Sequence, residues 1–250
     1  MADPVKKERL DILLAARGLA ATRSRARDLI RRGLVRVDGA AASKPAMMIP
    51  ETASLDVTGD ANRYVSRGAA KLIKALDAFG FDAQGRIALD VGASTGGFTQ
   101  VLLEQGAGHV WCVDVGQGQL SAELKDNPRV SSLEGTDARS LTSEQITNPV
   151  TAIVADVSFI SLTKALTAAL KLAAPGCWLV ALVKPQFEAG PDAVGKGGVV
   201  RDEAARQRAL DSVRDWIEGQ RGWEVTGIVP SPIKGGEGNI ETLIGARYAA

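Results

Sequence analysis

DVGASTGGFT, residues Asp90 to Thr99, is the stretch that decides the fold. It follows an apolar run of strand type and leads directly into the apolar helical stretch Phe98 to Leu103. Glycines 92, 96 and 97 remove side chains where the backbone must turn tightly, and the start of the following helix points amide groups into the same space. The sequence therefore predicts a strand, a glycine turn and a helix that bind a nucleotide-type ligand.

The order of residues in this loop, Gly-x-Ser-x-Gly-Gly, separates it from two common nucleotide-binding motifs. It is not the Gly-x-Gly-x-x-Gly of the dinucleotide fingerprint, and no Gly-Lys-Ser/Thr follows, as a phosphate-binding loop would require. Hydride transfer and nucleoside triphosphate hydrolysis are therefore disfavoured.

Acidic residues follow the next two predicted strands. Asp114 ends the second strand, where a carboxylate can accept hydrogen bonds from two ribose hydroxyls, and Asp137 after the third could reach an adenine amino group. Loop and acids in this order look like the methyltransferases that use S-adenosylmethionine. The residues predicted to bind this cofactor are Asp90, Gly92, Ser94, Thr95, Gly96, Gly97, Phe98, Asp114 and Asp137.

Apolar strands alternate with helical stretches from the loop to the C-terminus, which is typical of a parallel α/β sheet. Strands are expected near Ile87 to Val91, Val110 to Val115, Val130 to Leu133, Thr151 to Ala155, Trp178 to Val183, Glu224 to Val229 and Thr242 to Ala246. The predicted fold class is a Rossmann-like methyltransferase sheet of seven strands, the last one antiparallel, preceded by a small α+β domain. We place the domains at 1–60 and 67–250, with a linker at 61–66.

The N-terminal segment is cationic, although the whole chain has a formal net charge of only +1. Between Val5 and Gly39 ten Lys/Arg face four acids, so that segment is net +6. Helical spacing predicts helices at Arg9 to Leu14 and Ser24 to Ile30, with Ser24 as the N-cap of the second. A strand at Leu34 to Gly39 is expected to pair with Leu55 to Val57. The unit is therefore a small basic α+β module.

This module resembles the alpha-L RNA-binding domain, named after a ribosomal small-subunit protein, through the run RLDILLAARGLAATRSRARDLIRRGLVRVDG. In that family the second helix and the following turn present basic side chains to structured RNA. The resemblance implies phosphate contacts by Arg23, Arg25, Arg27, Arg31 and Arg32. An ordinary solvated helix face is the alternative.

Charged residues stand where the central strands are expected to meet. Asp156 and Lys184 follow strands four and five, and Glu241 begins the antiparallel last strand at the same sheet edge. Lys71, on the helix before strand one, can complete the set. A neutral amine within hydrogen-bond reach could deprotonate a ribose 2'-hydroxyl, and Lys184 is the candidate base. Methyl displacement depends on in-line positioning and needs no metal.

Other kinds of methyl transfer fit less well. Strand four ends in Asp-Val-Ser-Phe rather than the Asn/Asp-Pro-Pro-aromatic stretch common in methylases of exocyclic base amines. No cysteine nucleophile, as pyrimidine C5 methylation requires, follows strand four or five. Two cysteines, Cys112 and Cys177, and one histidine, His109, cannot build a zinc cluster, and His109 is expected to pack within a strand.

With these residues in hand, the chain resembles the TlyA family, historically labelled haemolysin A, whose catalytic half is similar to the FtsJ RNA methyltransferases. The matching pieces are YVSRGAAKL at Tyr64, DVGASTGGFT at Asp90, ADVSFIS at Ala155, LVKPQFE at Leu182, GKGGVVRD at Gly195 and GGEGNIE at Gly235. The family implies 2'-O-methylation of cytidine in ribosomal RNA, with rRNA or ribosomal subunits as partners. Lys71, Asp156, Lys184 and Glu241 match its catalytic tetrad.

Two other functions stay open at this point. A non-catalytic RNA-binding or ribosome-assembly factor would keep the cofactor fold, but it would not need two lysines and two acids beside the methyl group. A haemolysin would need a membrane-active segment, and no apolar stretch approaches the roughly 20 residues that span a bilayer. The charged N-terminus does not resemble a signal peptide, and we expect a cytoplasmic protein.

Overall fold

A computed structural model gives the structure of the 250-residue chain and describes residues 6–20, 22–58, 63–235 and 237–249. The chain divides into two compact units, unit 1 from Met1 to Tyr64 and unit 2 from Val65 to Ala250. The linker expected at 61–66 lies partly outside the described residues.

The described residues of unit 1 form two α-helices and two small antiparallel sheets. Its elements are β1 (Lys7–Arg9), α1 (Leu10–Ala16), α2 (Arg23–Arg31), β2 (Val35–Val37), β3 (Ala40–Ala42), β4 (Met48–Pro50) and β5 (Leu55–Val57). β2 pairs with β5, as the sequence predicts, and also with β3 across the Asp38-Gly39 turn. β1 pairs with β4. The strands β1, β3 and β4 were not predicted, because three-residue strands carry too little alternation to be recognised in a sequence.

The second helix begins earlier than its sequence suggests. Thr22, not Ser24, is the N-cap of α2, and its Oγ1 accepts a hydrogen bond from the Arg25 amide at 3.1 Å. Thr22 has the extended backbone of an N-cap (φ −143°, ψ 161°), whereas Ser24 lies inside the first helical turn. The prediction of Ser24 as N-cap was therefore wrong, since two hydroxyl residues near one helix start cannot be ranked from sequence alone.

Unit 2 is built around one seven-stranded sheet. Its helices are α3 (Gly68–Phe79), α4 (Gly97–Glu104), α5 (Ala122–Lys125), α6 (Leu162–Lys171), α7 (Pro185–Glu188) and α8 (Glu203–Glu218). Its strands are β6 (Ile87–Val91), β7 (His109–Asp114), β8 (Val130–Glu134), β9 (Val150–Ala155), β10 (Ala173–Val183), β11 (Trp223–Pro230) and β12 (Thr242–Tyr248). All seven predicted strands are present, with ends that differ by a few residues.

The strand order is β11-β12-β10-β9-β6-β7-β8. β6 to β10 pair in parallel, and β12 runs antiparallel to both β10 and β11. The predicted fold class is therefore confirmed. This order places the ends of β6, β9 and β10 and the start of β12 at one edge of the sheet, where ligands bind in such folds.

Candidate functional site

The glycine loop after β6 takes the predicted strand, turn and helix form. Gly92 has φ 84°, and a Cβ there would stand 2.8 Å from the carbonyl oxygen of Asp156, so the end of β6 lies directly against the end of β9. A Cβ on Gly97 would stand 3.3 Å from the Ala69 amide of α3. These glycines therefore let the backbones around the site approach closely.

A cavity of about 950 Å³ opens at this edge of the sheet. Of the residues predicted to bind cofactor, Gly92, Ser94, Asp114 and Asp137 line it, together with Asp156. Asp90, Thr95, Gly96, Gly97 and Phe98 do not line it and instead build the strand end and helix start behind it. The sequence missed Val115, which also lines the cavity and has 72% of its surface exposed.

The two acids predicted to read an adenosine differ in their partners. Asp114 accepts hydrogen bonds from the Ser94 and Gly116 amides, both at 2.8 Å, so a backbone frame holds its carboxylate at the cavity. Asp137 binds the Arg139 guanidinium at distances down to 2.5 Å, and Arg139 holds its pKa below the usual range. Asp114 thus has the free acceptor capacity that a ribose needs, whereas Asp137 is already paired with an exposed arginine.

All four predicted catalytic residues converge beside this cavity. Lys71 Nζ donates to Glu241 Oε2 at 2.7 Å and lies 3.7 Å from Asp156 Oδ2. Lys184 Nζ lies 2.6 Å from Asp156 Oδ1. The side chains are 9% (Lys71), 21% (Asp156), 11% (Lys184) and 2% (Glu241) exposed. Two largely buried cations thus alternate with two carboxylates, and of the four residues Asp156 lines the cavity.

Three residues at this edge were not predicted from the sequence. Ser158 Oγ accepts a hydrogen bond from Lys184 Nζ at 2.9 Å. Phe159 is 93% exposed with φ 66°, and its ring centroid lies 5.4 Å from that of Phe187. An exposed aromatic ring beside a catalytic cluster is suited to stacking on a nucleobase. The left-handed backbone of Phe159 and the exposure of its ring cannot be predicted from the residue types. Only the structure therefore reveals this aromatic surface.

Asn239, also not predicted, lies two residues before Glu241 and is fully buried. Its Oδ1 accepts from the Val200 amide at 3.0 Å, and its Nδ2 donates to the Gly198 carbonyl at 2.8 Å. The glycine-rich segment before α8 is therefore fastened to the start of β12, beside the catalytic cluster.

His109 and both cysteines have structural surroundings. His109 Nε2 lies 3.0 Å from Ser131 Oγ, its ring packs on Trp111, and burial lowers its pKa. Burial raises the pKa of the Cys177 thiol to about 12 and raises that of Cys112 as well. Among the described residues no group of three or more His, Cys, Asp and Glu side chains could hold a metal ion.

In unit 1 the five arginines proposed to bind RNA separate into two groups. Arg23 pairs with buried Asp11 at 3.0 Å, while Arg25 and Arg32 lie 3.3 and 3.7 Å from Asp28. Arg27 and Arg31 are exposed one turn apart, and neither pairs with an acid in the described part of the chain. Arg27 and Arg31 are therefore the ones left for an external anion.

Comparison with known proteins follows the same division. The model of FtsJ-like methyltransferases matches residues 64–248, and the model of the S4 domain matches residues 8–53. The chain is 47% identical to the 16S/23S rRNA (cytidine-2'-O)-methyltransferase TlyA of Mycobacterium tuberculosis, over 97% of this chain and 90% of that protein. The chain belongs to the TlyA family of FtsJ-like methyltransferases.

Other similar proteins carry the older name of this family. The chain is 40% identical to Hemolysin A of Brachyspira hyodysenteriae, over 94% of this chain and 98% of that protein. A solved structure of a hemolysin-named protein from Streptococcus thermophilus superposes with a TM-score of 0.76 at 40% identity, covering 98% of this chain and 90% of that one. Within the described residues, no helix is long and apolar enough to cross a membrane.

Proposed function

We propose that this protein transfers a methyl group from S-adenosylmethionine to the ribose 2'-hydroxyl of a cytidine in ribosomal RNA. The observation that carries the proposal is the buried cluster of Lys71, Glu241, Asp156 and Lys184 beside the cavity. The similarity to the 16S/23S rRNA (cytidine-2'-O)-methyltransferase TlyA of M. tuberculosis supports the same reaction and substrate.

The residues that line the cavity have the chemistry that S-adenosylmethionine would need. Gly92 and Ser94 would border the bound molecule, and Asp114 would accept the ribose hydroxyls, while Val115 offers an apolar surface for the adenine. When bound, S-adenosylmethionine would supply an electrophilic methyl group on a positively charged sulfur. Asp137 would serve the adenine only if Arg139 moved aside or shared its carboxylate.

Lys184 is placed to take the proton from the 2'-hydroxyl. Its Nζ lies 2.6 Å from Asp156 Oδ1 and donates a hydrogen bond to Ser158 Oγ at 2.9 Å, so both neighbours hold the amine in place. A neutral Lys184 amine would accept the proton of a 2'-hydroxyl bound within hydrogen-bond reach of it. After proton transfer, the Asp156 carboxylate would stabilise the new ammonium.

Lys71 and Glu241 would hold Asp156 rather than contact the reacting atoms. Glu241 binds the Lys71 ammonium at 2.7 Å, and the ammonium lies 3.7 Å from Asp156. This arrangement keeps the Asp156 carboxylate oriented between two lysines. Phe159 would stack on the target base, and Arg23, Arg25, Arg27, Arg31 and Arg32 would contact the phosphates of rRNA or a ribosomal subunit, with Arg27 and Arg31 contributing most.

The deciding experiment is methyl transfer from labelled S-adenosylmethionine to purified ribosomal subunits and naked rRNA. Wild type is compared with Lys184→Ala and with Lys171→Ala, an exposed lysine at the end of α6. We expect label in a 2'-O-methylated cytidine, mapped by alkaline resistance, and a loss of about 100-fold or more for Lys184→Ala alone. Cofactor binding without transfer to any of these RNAs would instead favour a non-catalytic RNA-binding factor.

A further inference from the structure

Two chain segments that carry catalytic residues run side by side at the cavity edge. The first, residues 156–162, contains Asp156 and ends at the start of α6; the second, residues 184–188, begins with Lys184 and forms α7. Lys184 binds Ser158 at 2.9 Å, and the Phe187 and Phe159 rings lie 5.4 Å apart. The two segments therefore contact each other at two points, Lys184 with Ser158 and Phe187 with Phe159.

Glu188, the last residue of α7, makes a third contact, at the C-terminal ends of the two segments. Its Oε2 accepts a hydrogen bond from Ser161 Oγ at 2.6 Å, and its Oε1 accepts from the Leu162 amide at 2.8 Å. The carboxylate is partly buried, and burial raises its pKa. Both of its oxygens thus fasten the second segment to the first.

The first segment needs such a contact because its backbone is strained. Phe159 has φ 66°, a left-handed conformation that a bulky residue adopts only when its surroundings impose it. The segment begins at Asp156, whose amide donates to the Val91 carbonyl at 3.1 Å. Glu188 therefore holds the end of a strained segment whose beginning is held by the neighbouring strand.

The α6 N-terminus already has a cap from its own segment, and Glu188 adds to it from the other segment. Ser161 is already the N-cap, with its Oγ accepting from the Thr163 amide at 3.3 Å. The Glu188 carboxylate adds a second acceptor at this helix start, and it comes from the segment that carries the proposed base. Glu188 thus fixes the position of the segment that carries Lys184 relative to the segment that carries Asp156 and Ser158.

We infer that Glu188 is a positioning residue for methyl transfer, which fastens the Asp156 segment to the Lys184 segment so that the Lys184 amine points at the ribose. The inference rests on the proposed function. Glu188 acts through Lys184 and does not contact the RNA or cofactor. Because misplacement of a catalytic group by about 1 Å costs roughly 100-fold, its loss lowers kcat by about 10- to 100-fold.

The test compares wild type, Glu188→Ala, Glu188→Gln and Glu218→Ala, an exposed glutamate at the end of α8. Single-turnover methyl transfer gives the rate, calorimetric titration gives S-adenosylmethionine affinity, and tryptophan fluorescence gives thermal stability. Gln keeps an oxygen for the Leu162 amide and can donate to Ser161, so we expect it to restore the rate to within about threefold of wild type. Cofactor affinity should stay within about twofold in every variant, since Gly92 and Ser94 lie in the loop after β6 and Asp114 lies at the end of β7.

Each result decides one question. An inactive wild type on every RNA would overturn the proposed function, whereas an active wild type with an inactive Lys184→Ala upholds it. Against that background, a Glu188→Ala enzyme with wild-type kcat would overturn the inference, as would parallel loss of rate, cofactor affinity and stability. If Glu188→Ala does not fold, Glu188→Asp keeps the charge but is one methylene shorter. The kcat of Glu188→Asp should then fall while its S-adenosylmethionine affinity stays unchanged. An unchanged kcat would count against the positioning role of Glu188.

Discussion

Two buried carboxylates, one in each unit, are neutralised by cations in different ways. In unit 1, Asp11 is fully buried and accepts hydrogen bonds from Arg9 at 2.9 and 3.0 Å and from Arg23 at 3.0 Å. Arg9 above all, together with Arg23, lowers the pKa of Asp11 to about 2. In unit 2, the side chain of Glu241 is 2% exposed and binds Lys71 at 2.7 Å. Each acid has a cation because burying a lone carboxylate is very unfavourable.

The two carboxylates differ in which further residues their cations contact. The Arg9 and Arg23 side chains remain 37% and 53% exposed and end at Asp11, so this cluster serves the fold. Lys71 is 9% exposed and continues to Asp156, which in turn holds Lys184 at the cavity. Similar ion pairs therefore stabilise the fold of one unit and, in the other, hold the proposed base Lys184 beside a cavity.

A third buried acid, Asp90, completes the comparison because the described residues give it no cation. Thr99 Oγ1 donates to its Oδ2 at 2.6 Å, and its Oδ1 has no hydrogen-bond partner in the described structure. Burial raises the pKa of Asp90 to about 7, and the nearby Asp156 carboxylate acts in the same direction. Full burial alone therefore does not set the charge of a carboxylate; its donors do.

Removal of Lys71 should have the largest effect. Lys71→Ala leaves Glu241 buried without its cation, and we expect the free energy of unfolding of unit 2 to fall by about 3–5 kcal/mol, with loss of methyl transfer. The control is Lys74→Ala, an exposed lysine on the same helix, expected to change stability by less than about 0.5 kcal/mol. Urea unfolding followed by tryptophan fluorescence measures unit 2, which contains all four tryptophans. Equal effects of both variants would show that the buried pair is not special.

A smaller effect is expected in unit 1. Arg23→Ala removes one donor from Asp11, but Arg9 keeps two hydrogen bonds to it. We therefore expect the free energy of unfolding of unit 1 to fall by about 1.5–3 kcal/mol. Hydrogen exchange of the α1 and α2 amides should report this loss, and Arg27→Ala should leave these amides as protected as in wild type. Unchanged exchange in Arg23→Ala would mean that Arg9 alone neutralises Asp11.

Asp90 should make the stability of unit 2 depend on pH. Its folded pKa of about 7 lies above the ordinary value of 3.8, so between these values the folded state binds a proton that the unfolded chain releases. Stability should therefore fall as pH rises from about 4 to about 7, by at most about 1.4 kcal/mol per pH unit, and then level off. Urea unfolding of wild type and Asp90→Asn at several pH values between 5 and 8.5 tests this. The free energy of unfolding of the variant minus that of wild type should increase up to about pH 7. A constant difference would contradict the raised pKa.

The smallest effect on stability is expected for the exposed arginines. The double variant Arg27→Ala, Arg31→Ala should fold like wild type yet bind rRNA more weakly. The slope of log affinity against log salt should decrease by about 0.7–0.9 for each phosphate that the variant no longer binds. Arg23→Ala, where it remains folded, should lower this slope less than the double variant does, because Arg23 is already paired with Asp11. If the slope of the double variant is unchanged, RNA binds to another surface of unit 1.

Much of the catalytic site could be predicted because it depends on chain order. Asp156, Lys184 and Glu241 directly follow or precede strands, and parallel topology brings strand ends to one edge. The glycine loop was predictable for a similar reason, since tight turns demand glycine locally. The role of each basic residue in α2 was not predictable, because pairing with Asp11 or Asp28 depends on which acids the fold brings within reach.

Sequence by itself thus determined the seven-stranded sheet, the glycine loop and the identity of the four clustered charged residues, because periodicity and strand ends are local properties. Only the tertiary structure decided which arginines stay exposed, that Phe159 stands in a left-handed conformation at the cavity edge, and that Glu188 joins two segments. Those features depend on distances between residues far apart in the chain. Such distances are set by packing, which no single stretch of sequence contains.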